Sequence, residues 1–157
     1  MYMHSSARPV EGGASAAWSA VAAFASAVDS DLDKWLAGTY RIGLTEFRAL
    51  VLLSREQDKE LRVNDLARRV GLSQSSATRL VSRMEAKGVA RRDICQDDGR
   101  GVYAVITAQG EAVLARALGP YGEKVRELLG GAGAHLSPSA ADVLGRAFRE
   151  IGALISP

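Results

Sequence analysis

The stretch from Val63 to Gly88 constrains this chain more than any other. Leu66, Ala67 and Val70 line one side of a short helical segment, and Gly71-Leu72 then turns the chain. Ser73 follows where a helix N-cap belongs, and the next segment, Gln74 to Lys87, stops at Gly88, a residue suited to a left-handed helix end. Two helices joined by so tight a glycine turn match the helix-turn-helix plan. The second helix divides cleanly: Ala77, Leu80, Val81 and Met84 form an inward face. Ser73, Ser76, Arg79 and Arg83 recur at spacings of three and four on the other side, with Gln74, Ser75 and Thr78 beside them.

That outward face has short hydroxyl side chains in its first turn and arginines one and two turns later. Short side chains let the helix N-terminus come close to base edges or a phosphate, and the dipole and free N–H groups there favour an anion. Glutamine pairs with adenine and arginine with guanine in the major groove, while serine and threonine adapt to either. Taken alone, such a face is equally an exposed amphipathic helix with solubilising residues. The turn and cap before it favour double-stranded DNA. So does the charge distribution. Residues 62–100 carry nine basic against five acidic side chains, eight of the nine being arginine, whereas residues 1–61 carry six against eight and 101–157 five of each. The positive excess therefore sits around the helix-turn-helix, as a phosphate-facing surface requires.

Two alternating segments follow, Val89–Ile94 and Val102–Ile106, around the polar loop CQDDGRG, and read as a β-hairpin. A hairpin directly after such a helix makes a winged helix-turn-helix. Arg100 sits at the loop tip, where a slim, glycine-flanked loop can place one arginine in a narrow minor groove. Asp97 and Asp98 would repel phosphate if left free, so Asp98 is expected to pair with an arginine of the third or fourth helix and brace the wing.

Around this core the chain reads as helix. Residues 1–14 form a loose arm, and the remainder, 15–157, a single domain. Trp18, Val21, Ala25, Val28, Leu32 and Trp35 make one stripe on a helix over about 15–38. Thr45 is expected to cap a second helix carrying Phe47, Leu50, Val51 and Leu53. Thr107 caps a fifth, which Gly119-Pro120 should kink, and a Gly-rich break from Gly130 to His135 precedes a last helix begun at Ser137-Pro138. The fold class is mainly α with one hairpin (α+β): a winged helix-turn-helix over about 44–107, flanked by helices over 15–38 and 108–157. The stripes of the flanking helices exceed what a small lobe can cover, so a two-fold partner is expected.

The runs LTEFRALVLLSRE, VNDLARRVGLSQSSATRLVSRMEAKGVARR and DDGRGVYAVITAQG together resemble MarR-type transcription regulators, the multiple-antibiotic-resistance regulator family. The resemblance is close over about Leu44 to Gly110. It implies a homodimer whose first and last helices form a shared region, with two winged lobes on a pseudo-palindromic operator. It also implies a repressor released by a small aromatic or phenolic inducer bound between the two regions. Carried onto this sequence, base reading falls to Gln74, Ser75, Ser76, Thr78 and Arg79, phosphate contact to Ser73 and Arg83, and the minor groove to Arg100. Three departures stand out. Arg62 replaces the usual Ser/Thr cap of the third helix, Gly99 stands where a second arginine is common, and Cys95 takes a position that is often acidic.

Other functions find little support. The sequence has no GxGxxG, Walker loop, HExxH, GxSxG or His/carboxylate cluster, so an enzyme is not expected. One cysteine and two distant histidines argue against a disulfide framework and a zinc site, and no metal or other cofactor is expected. Ala16–Val28 is too short to span a bilayer and too poor in leucine for an export signal, which leaves the cytoplasm as the expected compartment. Cys95 has Arg91, Arg92 and Arg100 near it in sequence, which raises a redox role, but an inert thiol at a strand end is the stronger reading. Trp18, Trp35, Tyr40 and Arg41 are candidates for a ligand pocket, yet aromatics at helical spacing are more often core, and no ligand site is assigned. The alternative to a DNA-binding regulator is a winged-helix module that binds protein or senses a ligand without touching DNA. Such a module needs exposed apolar anchors on the face that here carries Ser76, Arg79 and Arg83.

Overall fold

A computed structural model of the chain describes residues 14–95 and 101–133, together with positions 146, 149 and 150, whose backbone is helical. The elements are α1 (Ala14–Tyr40), α2 (Leu44–Arg55), β1 (Glu60–Arg62), α3 (Val63–Val70), α4 (Gln74–Ala86), β2 (Ala90–Cys95), β3 (Gly101–Ile106) and α5 (Ala108–Gly133). The expected arm, the wing tip from Gln96 to Arg100 and the last helix lie outside the described residues.

Both helix-turn-helix boundaries follow from local chemistry. Gly71 closes α3 at φ +72°, a left-handed conformation that costs a side-chain-bearing residue and costs glycine nothing. Ser73 then caps α4, its Oγ accepting from the Ser76 N–H at 3.2 Å. Thr107 caps α5 in the same way, accepting from Gly110 N–H at 3.1 Å, and its hydroxyl donates to the Gly88 carbonyl at 2.6 Å. One side chain thereby ties the start of α5 to the end of α4.

Other boundaries differ from expectation. Thr45 does not cap α2; the helix begins two residues earlier than that cap implies, at Leu44 with Gly43 as N-cap. Glycine has no capping oxygen, so two carboxylates substitute: Glu46 accepts from Gly43 N–H at 2.9 Å, and Asp33 of α1 accepts from Leu44 N–H at 2.7 Å. The helix α5 runs unbroken through Gly119 and Pro120, and the glycines from Gly130 to Gly133, read as a break, still belong to it. The start of α3 at Arg62 has no side-chain cap. That residue instead ends a third strand absent from the sequence reading.

The sheet has strand order β1-β3-β2, antiparallel throughout. Arg62 pairs with Tyr103 and Ala90 with Ile106 at opposite edges. Beneath the sheet, Leu50, Leu53, Leu66, Leu80, Val81 and Met84 are fully buried, and Leu32 and Leu36 of α1 and Leu114 and Ala117 of α5 close the core from the other side. Phe47 and Tyr121 stack with ring centroids 4.3 Å apart, joining α2 to α5.

Candidate nucleic-acid interface

The two faces of α4 separate as the periodicity predicts. Ala77, Leu80, Val81 and Met84 are wholly enclosed, and Ser73, Gln74, Ser75, Thr78, Arg79 and Arg83 are exposed, with Ser76 between the two. Burying the inward set holds the helix down by apolar area, and this leaves the outward set available to a partner.

Within that outward set the hydroxyls are already organised. Ser73 Oγ lies 3.0 Å from Ser76 Oγ and 3.2 Å from Ser75 Oγ, and Arg79 Nη2 donates to Ser76 Oγ at 3.4 Å. Thr78 Oγ1 donates back to the Gln74 carbonyl at 3.0 Å. The first two turns of α4 thus present a short, polar, hydrogen-bond-rich surface with one guanidinium folded over it. Arg83, two turns on, is half exposed, with its Nε 3.6 Å from Glu46 Oε1.

Gln74 and Thr78 also form one wall of a notch of about 240 Å³ between α4, the start of α3 and the root of the wing, its other walls including Arg62, Asn64, Arg92 and Val102. Both arginines there are held in place. Arg62 Nε donates to Tyr103 Oη at 3.0 Å, and its guanidinium lies 5.5 Å from that ring's centroid. Arg92 donates from its backbone N–H and from Nε to Glu85, at 2.8 and 2.7 Å, and from Nη2 to Ser82 Oγ at 3.0 Å. These bonds, the backbone N–H of Arg92 first and its guanidinium second, hold the Glu85 carboxyl below the usual carboxylate range. The wing root is therefore clipped to α4 through Glu85, and Arg100 and Asp98, with its expected pairing, lie outside the described residues.

Sequence reasoning missed Asn64, Tyr103 and Glu46, and met Arg62 only as a missing cap and Arg92 only as a neighbour of Cys95. Arg62 and Arg92 belong to the arginine excess already noted, but a count does not tell which arginines share a notch. Of the aromatic candidates, Trp35 and Tyr40 form an edge-on pair 5.5 Å apart, packed against the core at the α1–α5 junction, and Trp18 stands 70% exposed.

A second cavity, about 690 Å³, opens between α2, α3 and α5. Phe47, Val51, Val70, Leu118 and Tyr121 are among its walls, with Arg48, Arg55 and Arg69 also facing it. Arg48 is held by Asp29 of α1 at 2.8 and 3.1 Å, a pairing that raises its pKa. Burial pushes the Tyr121 hydroxyl up, against the opposing pull of Arg48. Among the described residues no group of acidic, His or Cys side chains is arranged to hold a metal, and no helix is long and apolar enough to cross a membrane.

Helix, glycine turn, capped helix and three-stranded wing now stand together, and the MarR family profile matches residues 42–101, the same segment. Over these residues the chain is similar to the MarR family. Solved structures agree over nearly the whole chain. A MarR family transcriptional regulator from Streptomyces coelicolor, in complex with DNA, is 26% identical with a TM-score of 0.71, covering 90% of this chain and 86% of its own. AbsC, a MarR family regulator from the same organism, is 25% identical at TM-score 0.70, covering 90% and 93%. Wild-type MarR from E. coli in its apo form shares the fold at 18% identity and TM-score 0.69, covering 85% and 95%. No curated protein matches the chain by sequence.

Proposed function

We propose that this chain is a DNA-binding transcription regulator of the MarR type that reads duplex DNA with the outward face of α4. The observation that carries the reading is the division of that helix: four apolar side chains fully buried, and Ser73, Gln74, Ser75, Thr78, Arg79 and Arg83 turned to solvent. A protein-docking face needs apolar anchors, and among the described residues the large exposed hydrophobics are Trp18, Val21, Ile94, Val102, Leu118 and Leu129, none of them on α4. The similar Streptomyces coelicolor regulator in complex with DNA supports the same partner.

In this reading Gln74, Ser75, Ser76, Thr78 and Arg79 meet base edges, Ser73 and Arg83 meet phosphate, and Arg100 enters the minor groove. A homodimer spaces two such helices about 34–36 Å apart, one DNA turn, on a pseudo-palindromic site. The protein acts as a repressor, and its inducer is a small aromatic or phenolic molecule. The cavity between α2, α3 and α5 supports that class, since its apolar walls, Phe47 and Tyr121 among them, suit an aromatic ring. In this reading the protein works in the cytoplasm.

The test is an unbiased selection of bound duplexes, followed by titration of the winner over a salt series. Arg79→Ala should relax preference at one base position at a cost of about 1–3 kcal/mol. Arg100→Ala should weaken binding to most sequences and reduce the log–log salt slope by about 0.9. Equal loss on every sequence for both variants would overturn this assignment of roles. A selection that enriches nothing would overturn DNA binding itself.

A further inference from the structure

Glu46 is the one buried charged side chain among the described residues, only 3% exposed. It belongs to α2, yet its carboxylate reaches the far end of α4. Oε2 accepts from Gly43 N–H at 2.9 Å and from Lys87 Nζ at 2.7 Å, and Oε1 lies 3.6 Å from Arg83 Nε. The two cations keep about half their surface in water, with side chains 40% and 56% exposed for Lys87 and Arg83. The backbone beneath them is fixed. Lys87 N–H donates to Arg83 O at 3.1 Å, Val89 N–H to Met84 O at 3.0 Å, and Gln109 Nε2 to Lys87 O at 3.3 Å.

Capping Gly43 requires an acceptor, not a charge, and a glutamine at this position would supply one. Withdrawing a carboxylate from water is costly unless cations offset it. Here that charge gathers two cations from the end of the recognition helix. Arg83 lies ten residues beyond Ser73, a rise of about 15 Å along the helix axis. That is comparable to the roughly 12 Å width of the major groove. A helix seated there brings its capped N-terminus to one phosphate strand and the Arg83–Lys87 pair to the other.

We propose that Glu46 is a positioning residue for DNA recognition, holding Arg83 and Lys87 in one fixed geometry against the second phosphate strand. The proposal rests on the DNA reading above. Phosphate contacts from a fixed pair set the register of the base-reading side chains without themselves reading sequence. Released from Glu46, the same two cations attract any duplex equally and lose their hold on register. Neutralising Glu46 therefore costs preference, not general affinity.

The experiment compares a duplex selected by the wild-type protein with its scrambled counterpart, at matched folded fraction by circular dichroism. Glu46→Gln should lower the preference for the selected duplex about tenfold. Its affinity for the scrambled duplex should hold or rise, with a salt slope no shallower than wild type. In an Arg83→Ala, Lys87→Ala background the glutamine should change the preference no further. Lys87→Gln, at an exposed position, provides a second arm that does not depend on a buried substitution: it should reduce both the preference and the scrambled-duplex slope. Equal losses on the two duplexes, as a merely structural role would produce, or an unchanged preference, overturn the proposal and leave DNA binding standing. A wild-type protein with no preferred duplex overturns both.

Discussion

Leu50 and Leu53 of α2, Leu66 of α3 and Leu80 of α4 are wholly buried within one chain, while Trp18 near the start of α1 is 70% exposed and Leu118 and Leu129 of α5 stand partly open. The difference is one of geometry more than of composition. Three short helices and a small sheet can surround a common centre. A helix of 27 residues is about 40 Å long, and the winged lobe reaches only part of it. Contact with the core begins at Val28, and before it Val21 to Ala27 form an Ala-rich face with little beneath. The lobe completes one core with the inner halves of α1 and α5, whereas the outer parts of those helices leave Trp18, Val21, Leu118 and Leu129 open to a second surface.

If the lobe is self-contained, damage to its centre should be large and independent of protein concentration. Leu50→Ala deletes a fully buried side chain and should lower unfolding free energy by about 2–5 kcal/mol, read from urea melts at two concentrations. A loss that grows on dilution would show that the lobe depends on a partner, and the comparison would fail.

The outer helices should behave the opposite way. Trp18→Ala removes a side chain that the lobe does not cover, so the lobe's own melt should hold. In a homodimer the same change should weaken self-association, on the order of tenfold by sedimentation, since large aromatics dominate such interfaces. A variant that associates as well as the wild type would show that Trp18 lies outside the shared surface and would move the expected contact toward Leu118 and Leu129.

How much of this was legible in the sequence follows from the range of the forces involved. The α3–α4 turn, the Ser73 and Thr107 caps and the two faces of α4 depend on residues within four positions of one another, and their pattern shows in the letters. The strand β1 did not, because Glu60-Leu61-Arg62 has no alternation long enough to read and is a strand only through Tyr103, Ala104 and Val105 more than forty residues away. Thr45 attracted the cap of α2 by residue type, but Asp33 from another helix supplied the oxygen that accepts from the Leu44 N–H. The glycines after Leu129 were read by propensity as a break, a preference of only about 1 kcal/mol per residue, and the helix continues through them. Of the candidate interface, the α4 face was readable. The notch formed with Arg62, Asn64 and Arg92, and the anchoring of Arg83 by Glu46, arise from folding and have no local signature.

The smallest expected effect sharpens the comparison most. Glu85 clips α4 to β2 through the backbone and guanidinium of Arg92, and both bonds favour its ionised form. Its folded-state pKa is lowered, so the clip contributes fully above the ordinary glutamate value of about 4.5 and is lost as pH falls below that toward the lowered folded value. The Arg92 and Glu85 side chains are 41% and 32% open to water, and such exposed pairs contribute little. Glu85→Gln should therefore leave the neutral-pH melt almost unchanged. Its effect should appear as a slightly flatter fall in stability below pH 4.5, because the substituted residue has no proton to take up. If the variant instead loses as much at pH 7 as Leu50→Ala, the lobe is held together by its polar clips and not by its buried leucines, and the contrast with the flanking helices would need another basis.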